Sequence, residues 1–210
     1  MKVLLVNGSP HEKGCTYTAL EEVAKTLEKE RIQTEIFHIG SKALSGCIAC
    51  RKCREIGQCI FPDRVNEFLD KAKDYDGFIF GSPVHFAAAG GAITSFMDRS
   101  FYADLNSEKQ RFYLKPAAAV VSARRAGTTA TFDQLNKYFT IMEMPVISSR
   151  YWNMVHGATP EDVKKDLEGL QTMRILGRNM AWFLKCKEAG IKAGVPLPLR
   201  EEIVFTNFVR

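Results

Sequence analysis

The fold that this sequence predicts is α/β: a doubly wound, five-stranded parallel sheet in the order 2-1-3-4-5, with a C-terminal helix and an extended tail. Three observations carry that expectation. Short apolar runs alternate with segments of helical periodicity, the pattern of a parallel sheet covered on both faces. One run, Ala117–Val121, is apolar without a break, as a strand buried on both sides must be. The connections are short, and no repeat or low-complexity linker interrupts the 210 residues, a length that suits one domain with a sizeable core.

Each element has its own signal. Lys2–Val6 reads as the first strand. Leu20, Val23, Ala24 and Leu27 then fall at i, i+3, i+4 and i+7, one face of a helix, with Thr18 and Glu21 placed as a capping box. Glu35–Ile39 is the second strand, and a cysteine-rich loop, 46–60, follows. Val65, Phe68, Leu69 and Ala72 repeat the helical spacing, Gly77–Phe80 is the third strand, and Ala92–Arg99 opens the next helix. After Ala117–Val121, the fourth strand, Phe132, Leu135 and Phe139 mark a helix, and Pro145–Ser148 reads as the fifth strand. Thr159-Pro160-Glu161-Asp162 is a helix start: cap, proline at the first position, acids in the first turn. That helix is expected to reach Glu188 and to end at Gly190. The domain is thus expected over 1–190. The tail, 191–210, carries VPLPL and the apolar IVFTNFV, and must bury itself on this core or on a partner subunit.

Composition narrows the function classes. Hydrophobic content of 46% and charge of 25% are ordinary for a globular protein. The net charge of +5 is spread without a basic block, which argues against a nucleic-acid arm and leaves a mild preference for anionic ligands. Asn7-Gly8 interrupts the first apolar run before a signal segment could form, and no run reaches the length of a membrane span. A cytoplasmic location is therefore expected, where clustered cysteines mean metal or redox chemistry more often than disulfides.

In an open parallel sheet, ligands bind beyond the carboxyl ends of the strands at the switch point. Three loops reach it. Asn7–Thr18, NGSPHEKGCTYT, leads small residues and hydroxyls (Ser9, Thr16, Thr18) into a helix start, where unpaired N–H groups favour a phosphate. A plain capped turn is the alternative. Neither a Walker loop nor G-x-G-x-x-G fits its spacing. Gly81–Gly91 offers Pro83, His85 and Phe86 to a flat ring system, Phe86 in the core being the other possibility. The loop from Ser122 holds Arg124 and Arg125, suited to an anionic ring or a nucleotide phosphate or simply solvated, and Gly127, suited to close backbone approach.

Taken together, GSPHEKGCT, SPVHF followed by GGAITSFMDR, and the glycine-containing third loop resemble the NADPH-dependent FMN reductases and iron-sulfur flavoproteins of the flavodoxin-like superfamily, over about Met1–Asn153. The resemblance implies the doubly wound fold and FMN. It implies a phosphate site at Ser9, Cys15, Thr16, Tyr17 and Thr18, a ring resting on Pro83, Val84, His85 and Phe86, and Ala123, Arg124, Arg125, Gly127 and Thr128 beside the pyrimidine edge. The chain departs from that pattern at Cys15, where asparagine is common, and at His11, where a basic residue is common; backbone donation survives both changes.

Cys47, Cys50, Cys53 and Cys59 are spaced C-x2-C-x2-C-x5-C. Zinc sites use two separated knuckles, whereas three cysteines at successive x2 intervals with a fourth nearby match thiolate ligation of a [4Fe-4S] cluster. Arg51, Lys52 and Arg54 would offset its charge, and the place after strand two resembles the compact iron-sulfur flavoprotein motif. Empty thiols or a redox pair remain open. Cys186 reads as a core thiol on the last helix.

The function expected is an FMN-dependent oxidoreductase passing electrons through FMN and the cluster. A nicotinamide nucleotide, NAD(P)H, or a small redox protein would be the donor, and the assembly a homodimer or homotetramer. The alternatives are an NAD(P)H-dependent FMN or quinone reductase without a cluster, and a non-catalytic phosphate-ligand-binding protein with a structural metal loop. No convincing Ser/His/Asp or paired-carboxylate arrangement points to a catalytic side chain.

Overall fold

A computed structural model describes all residues except 205, 207, 209 and 210. Its elements are β1 (Lys2–Asn7), α1 (Cys15–Lys29), β2 (Gln33–His38), α2 (Cys53–Ile56), α3 (Arg64–Ala72), β3 (Gly77–His85), β4 (Ala88–Ala89), α4 (Gly91–Leu105), β5 (Ala117–Ala123), α5 (Thr128–Ile141), β6 (Met154–His156), α6 (Pro160–Val163) and α7 (Leu167–Lys192). Among the described residues the sheet has six strands, not five: parallel neighbours run β2-β1-β3-β5-β6, and β4 adds an antiparallel partner to β3.

Strand alternation builds two cores. Val3 and Leu5 of β1, Ile79 of β3 and Ala118 and Val120 of β5 face α1 and α7. Leu4, Val6, Phe78, Phe80, Ala119 and Val121 face α3, α4 and α5. Period-2 side-chain direction forces this split once helices cover both faces. The second core is aromatic: Phe68 stacks on Phe112 at 5.8 Å and meets Phe80 edge-on at 5.9 Å.

Several expectations need correction. Pro145–Ser148 is not the fifth strand. Val146 forms a single parallel bridge with Ala117; Pro145 has no N–H to extend it backward, and Asn153 Nδ2 takes Ala119 O, the acceptor that would extend it forward, at 3.0 Å. The strand forms later, at Met154–His156, against Val121–Ala123. The Thr18/Glu21 capping box does not exist: α1 starts at Cys15 after Gly14, Thr18 Oγ1 donates to Gly14 O at 3.2 Å, and Glu21 pairs with Lys25 at 2.6 Å. The third strand runs on to His85, so Pro83, Val84 and His85 belong to a strand rather than a loop. Thr159 does cap a helix, accepting from Asp162 N at 3.2 Å, but that helix is the single turn α6, and Asp166 caps α7 separately. Gly190 lies within α7, which continues to Lys192; Gly194 takes the left-handed conformation after it.

The tail touches the domain through Arg200, which pairs with Glu143 at 3.2 Å and lies over the Tyr113 ring. Val195, Leu197, Leu199, Ile203, Val204 and Phe208 are exposed, so burial of these residues on their own core is not what the chain does. Phe205, Asn207 and Val209 of IVFTNFV lie outside the described residues. Cys186 is exposed, not a core thiol.

Candidate functional site

The ends of β1, β3 and β5 lie side by side, with Asn7 opposite Gly81 and Pro83 opposite Ser122. The first loop leaves this edge pressed against β3: Gly8 N donates to Gly81 O at 2.9 Å, and a Cβ at Gly8 would stand 2.7 Å from that oxygen. Buried Asn7 sets the course of the loop from its first residue. Its Nδ2 donates to Glu12 O at 2.9 Å and its Oδ1 accepts from Ser9 N at 3.1 Å. Ser9 Oγ accepts from His11 N at 3.1 Å, and His38 Nε2 lies 2.8 Å from Ser9 O. The loop is therefore held at both ends before α1 begins.

Helix α1 opens on Gly14 with no side-chain cap. The amides of Cys15, Thr16 and Tyr17 have no intrahelical acceptor, and the dipole adds positive potential there. This donor set fits a phosphate. The side chains that the sequence offered to a phosphate have partners within the chain. Thr16 Oγ1 is buried at 2.8 Å from Ser122 Oγ, tying α1 to β5. Thr18 bonds back to Gly14 O, and Tyr17 OH donates to Glu21 Oε1 at 3.3 Å. Cys15 Sγ turns away, donating to Gly157 O at 3.6 Å; burial pushes its thiol pKa up, with Asp162 and Glu161 adding to the rise. The donors left without an acceptor at this helix end are backbone amides. His11 is exposed beside the loop.

The second loop is a hairpin. Its turn residues, Phe86 and Ala87, have φ of +50° and +60°, the pairing of a type I′ turn that Asn-Gly normally fills. A non-glycine residue held there costs about 1–3 kcal/mol, and such strain gathers at functional sites. Phe86 stands fully in solvent (106% relative exposure), so it is not a core residue. His85 is exposed, and Pro83 and Val84 are half-buried. The hairpin is anchored by Gln134 Oε1, which accepts from Ala89 N at 3.0 Å, and by Ser82 Oγ, which accepts from Gly90 N at 3.2 Å. Loop three meets it at Gly127, whose φ is +95° and where a Cβ would lie 2.7 Å from Ala87 Cα. Arg124 and Arg125 are exposed beside this contact, while Ala123 and Thr128 are buried. The structure thus brings the three loops to one edge.

The cysteine segment forms a second centre. Cys47, Cys50, Cys53 and Cys59 line one pocket with Arg51, Phe61, Arg99 and Tyr102. All four are free thiols, Cys47 and Cys50 exposed, Cys59 half-buried and Cys53 buried. Cys53 lies on the short helix α2 rather than in the loop. Burial pushes its thiol pKa up; a backbone hydrogen bond opposes this, and the charges of Cys50, Cys47 and Cys59 add to the rise. Ala49 and Arg51, on either side of Cys50, have φ of +53° and +60°, strained positions for residues with side chains. Four sulfurs around one pocket are a donor set that suits iron-sulfur chemistry. Among the described residues, however, no three His, Cys, Asp or Glu side chains stand gathered in metal-ligating geometry.

Of the three charges expected here, Arg51 lines the pocket and the other two are engaged elsewhere. Lys52 pairs with Glu55 at 3.1 Å and Arg54 Nε donates to Asn106 Oδ1 at 3.0 Å, both exposed. The cation that reaches a cysteine is Arg99 of α4, its side chain fully buried. Its Nε lies 3.2 Å from Cys59 Sγ, and its two terminal nitrogens bind Asp63 at 2.8 and 2.9 Å. Arg111, buried against Asp104 at 3.0 Å, donates to Gly57 O at 2.9 Å and holds the far end of the segment. A signal for Arg99 was available: it sits in the apolar run FMDRSF, among Phe96, Met97 and Phe101, and a buried arginine must be paired.

No helix of the described residues is long and apolar enough to cross a membrane. The family model for NADPH-dependent FMN reductase matches residues 1–159. An iron-sulfur flavoprotein of Methanocaldococcus jannaschii is 35% identical over 190 residues, covering 88% of this chain and 98% of its own. One of Archaeoglobus fulgidus is 25% identical over 190 residues, covering 86% and 94%. Among solved structures, RosB bound to 8-demethyl-8-formylriboflavin-5'-phosphate superposes with a TM-score of 0.67 at 14% identity, over 100% of this chain and 94% of that one. That likeness bears on the fold. With a flavodoxin-like α/β sheet, three loops converging on an uncapped helix start and a family match across most of its length, the chain belongs to the NADPH-dependent FMN reductase family and is a flavin-dependent oxidoreductase.

Proposed function

We propose that this protein is an iron-sulfur flavoprotein, passing electrons between a reduced donor and an acceptor through FMN and a [4Fe-4S] cluster. The observation that carries the reading is the single pocket lined by all four cysteines, in a chain whose relatives bear that name. When bound, the flavin takes up two electrons as hydride and the cluster exchanges one electron at a time. The chain's own residues do the rest. The Cys15, Thr16 and Tyr17 amides hold the phosphate, and Ser9, locked by Asn7 and His11, shapes its loop. Pro83, Val84, His85 and Phe86 supply one wall for the ring, and Ala123–Thr128, pressed on the hairpin at Gly127, supplies another. Arg124 and Arg125 stand exposed at that wall, placed to receive an anionic donor such as a nicotinamide nucleotide. Cys47, Cys50, Cys53 and Cys59 are the cluster ligands in this reading, and the apolar tail covers a second copy in a homodimer.

The family's description favours a second reading, an NAD(P)H-dependent FMN or quinone reductase whose four thiols stay empty. Anaerobic purification and reconstitution separates the two. Flavin bands together with iron and acid-labile sulfide, lost in Cys50→Ala, support the iron-sulfur reading. Flavin with no iron in the wild type overturns it and leaves the reductase.

A further inference from the structure

We propose that Arg99 is a positioning residue for the cluster: through its hydrogen bond to Cys59 it orients that sulfur and raises the cluster's reduction potential. The inference rests on the iron-sulfur reading above. Four of the five guanidinium N–H groups have acceptors. Nε–H points at Cys59 Sγ, 3.2 Å away; Nη1 serves Asp63 Oδ2 at 2.8 Å and Ser45 O at 3.3 Å; Nη2 serves Asp63 Oδ1 at 2.9 Å. The bidentate fork fixes the plane of the guanidinium, and that plane fixes where Nε–H points.

Asp63 is itself held. Its Oδ1 caps α3 by accepting from Val65 N at 3.1 Å, and the guanidinium lies 4.9 Å over the Phe61 ring. The direction of one N–H bond is therefore set by a helix start, an aromatic ring and a salt bridge. The other three cysteines have no cationic donor of this kind among the described residues. Arg99 cannot move to water, because its side chain has no exposed surface, and it cannot lose its proton near neutral pH. It gives Cys59 a permanent, fixed donor. A hydrogen bond and a positive charge at a ligand sulfur stabilise the extra electron of the reduced cluster, which moves the potential upward. Lys52 and Arg54, paired with Glu55 and Asn106 in solvent, are screened.

Arg99→Gln removes the cation and the donor at Cys59 and should shift the midpoint potential to more negative values. Arg99→Lys restores the charge without the fork and should recover part of the shift. The measurement is an EPR-monitored redox titration of the anaerobically reconstituted, FMN-loaded protein, with iron and sulfide quantified in every sample. Equal iron in all samples, with a negative shift in Arg99→Gln that Arg99→Lys partly recovers, supports the proposal. Equal iron with potentials unchanged overturns it, and so does a positive shift in Arg99→Gln. If Arg99→Gln does not fold, Arg99→Lys decides alone: a smaller negative shift supports the proposal and an unchanged potential overturns it. A wild type without iron removes the iron-sulfur reading first and this proposal with it.

Discussion

Replacing Gly127 by alanine should damage the proposed flavin site through the backbone. Two costs add. The φ of +95° lies in the left-handed region, where an L-residue loses roughly 1–2 kcal/mol. The new Cβ would stand 2.7 Å from Ala87 Cα and 2.8 Å from Val84 Cγ1. Ordinary carbon contacts begin near ~3.5 Å, so the shortfall is about 0.8 Å. The nearest atom is backbone, in a turn already held at positive φ, and cannot swing aside as a side chain would. Such overpacking costs roughly 1–3 kcal/mol. The total is about 2–5 kcal/mol if the hairpin stays in place, or ~4–20 °C in Tm for a domain of this size. If the hairpin yields instead, stability is spared but the Val84–Phe86 wall moves. FMN affinity, read by quenching of flavin fluorescence on titration, then falls. Gly91→Ala is the control. Its Cβ meets nothing within 4 Å, and it should leave Tm unchanged or raise stability by about 0.4–1 kcal/mol. A Gly127→Ala protein with both Tm and FMN affinity unchanged would refute this account of the contact.

The same geometry sets three other outcomes. Thr16→Val should lower stability by about 1–3 kcal/mol, because Ser122 Oγ loses its buried partner. It should leave FMN affinity within a few fold, since the Thr16 amide survives; loss of FMN binding without loss of stability would restore the hydroxyl as a phosphate donor. Phe86→Asn with Ala87→Gly should relieve the turn and raise Tm, while changing flavin fluorescence and reduction kinetics; a stabilised protein with unaltered flavin behaviour would separate Phe86 from the ring. Deleting 195–210 should lower the association state in light scattering, with Tm of the monomer little changed, given the exposure of the described apolar tail residues. The same mass in both proteins would leave the tail without a partner role.

Much of this molecule could be read from local rules. Uninterrupted burial of Ala117–Val121, the helical spacing of Val65, Phe68, Leu69 and Ala72, and the turn after β1 each follow from nearest neighbours and side-chain periodicity, and the layered fold follows from their order. The cysteine spacing is local in the same sense. What failed was decided at a distance. Pro145–Ser148 has strand composition and pairs with Ala117, but the bridge stops there and the strand resumes only at Met154. For Thr16 and Thr18, read as phosphate donors, only the structure shows the partners their hydroxyls have within the chain, Ser122, 106 residues away, and Gly14 O. The hairpin tip is strained because Gly127 and Gln134 hold it from outside. Arg99 shows the limit most clearly. Sequence distance separates it from Cys59 by 40 residues, and no periodicity links a helix to a loop that folds over it. The sequence by itself determined the layers, the order of the loops and the cysteine spacing. Only the tertiary structure decided which backbone amides, which strained turn and which buried cation those loops would meet, because such contacts depend on how α3, α4 and β5 pack and not on any residue's neighbours in the chain.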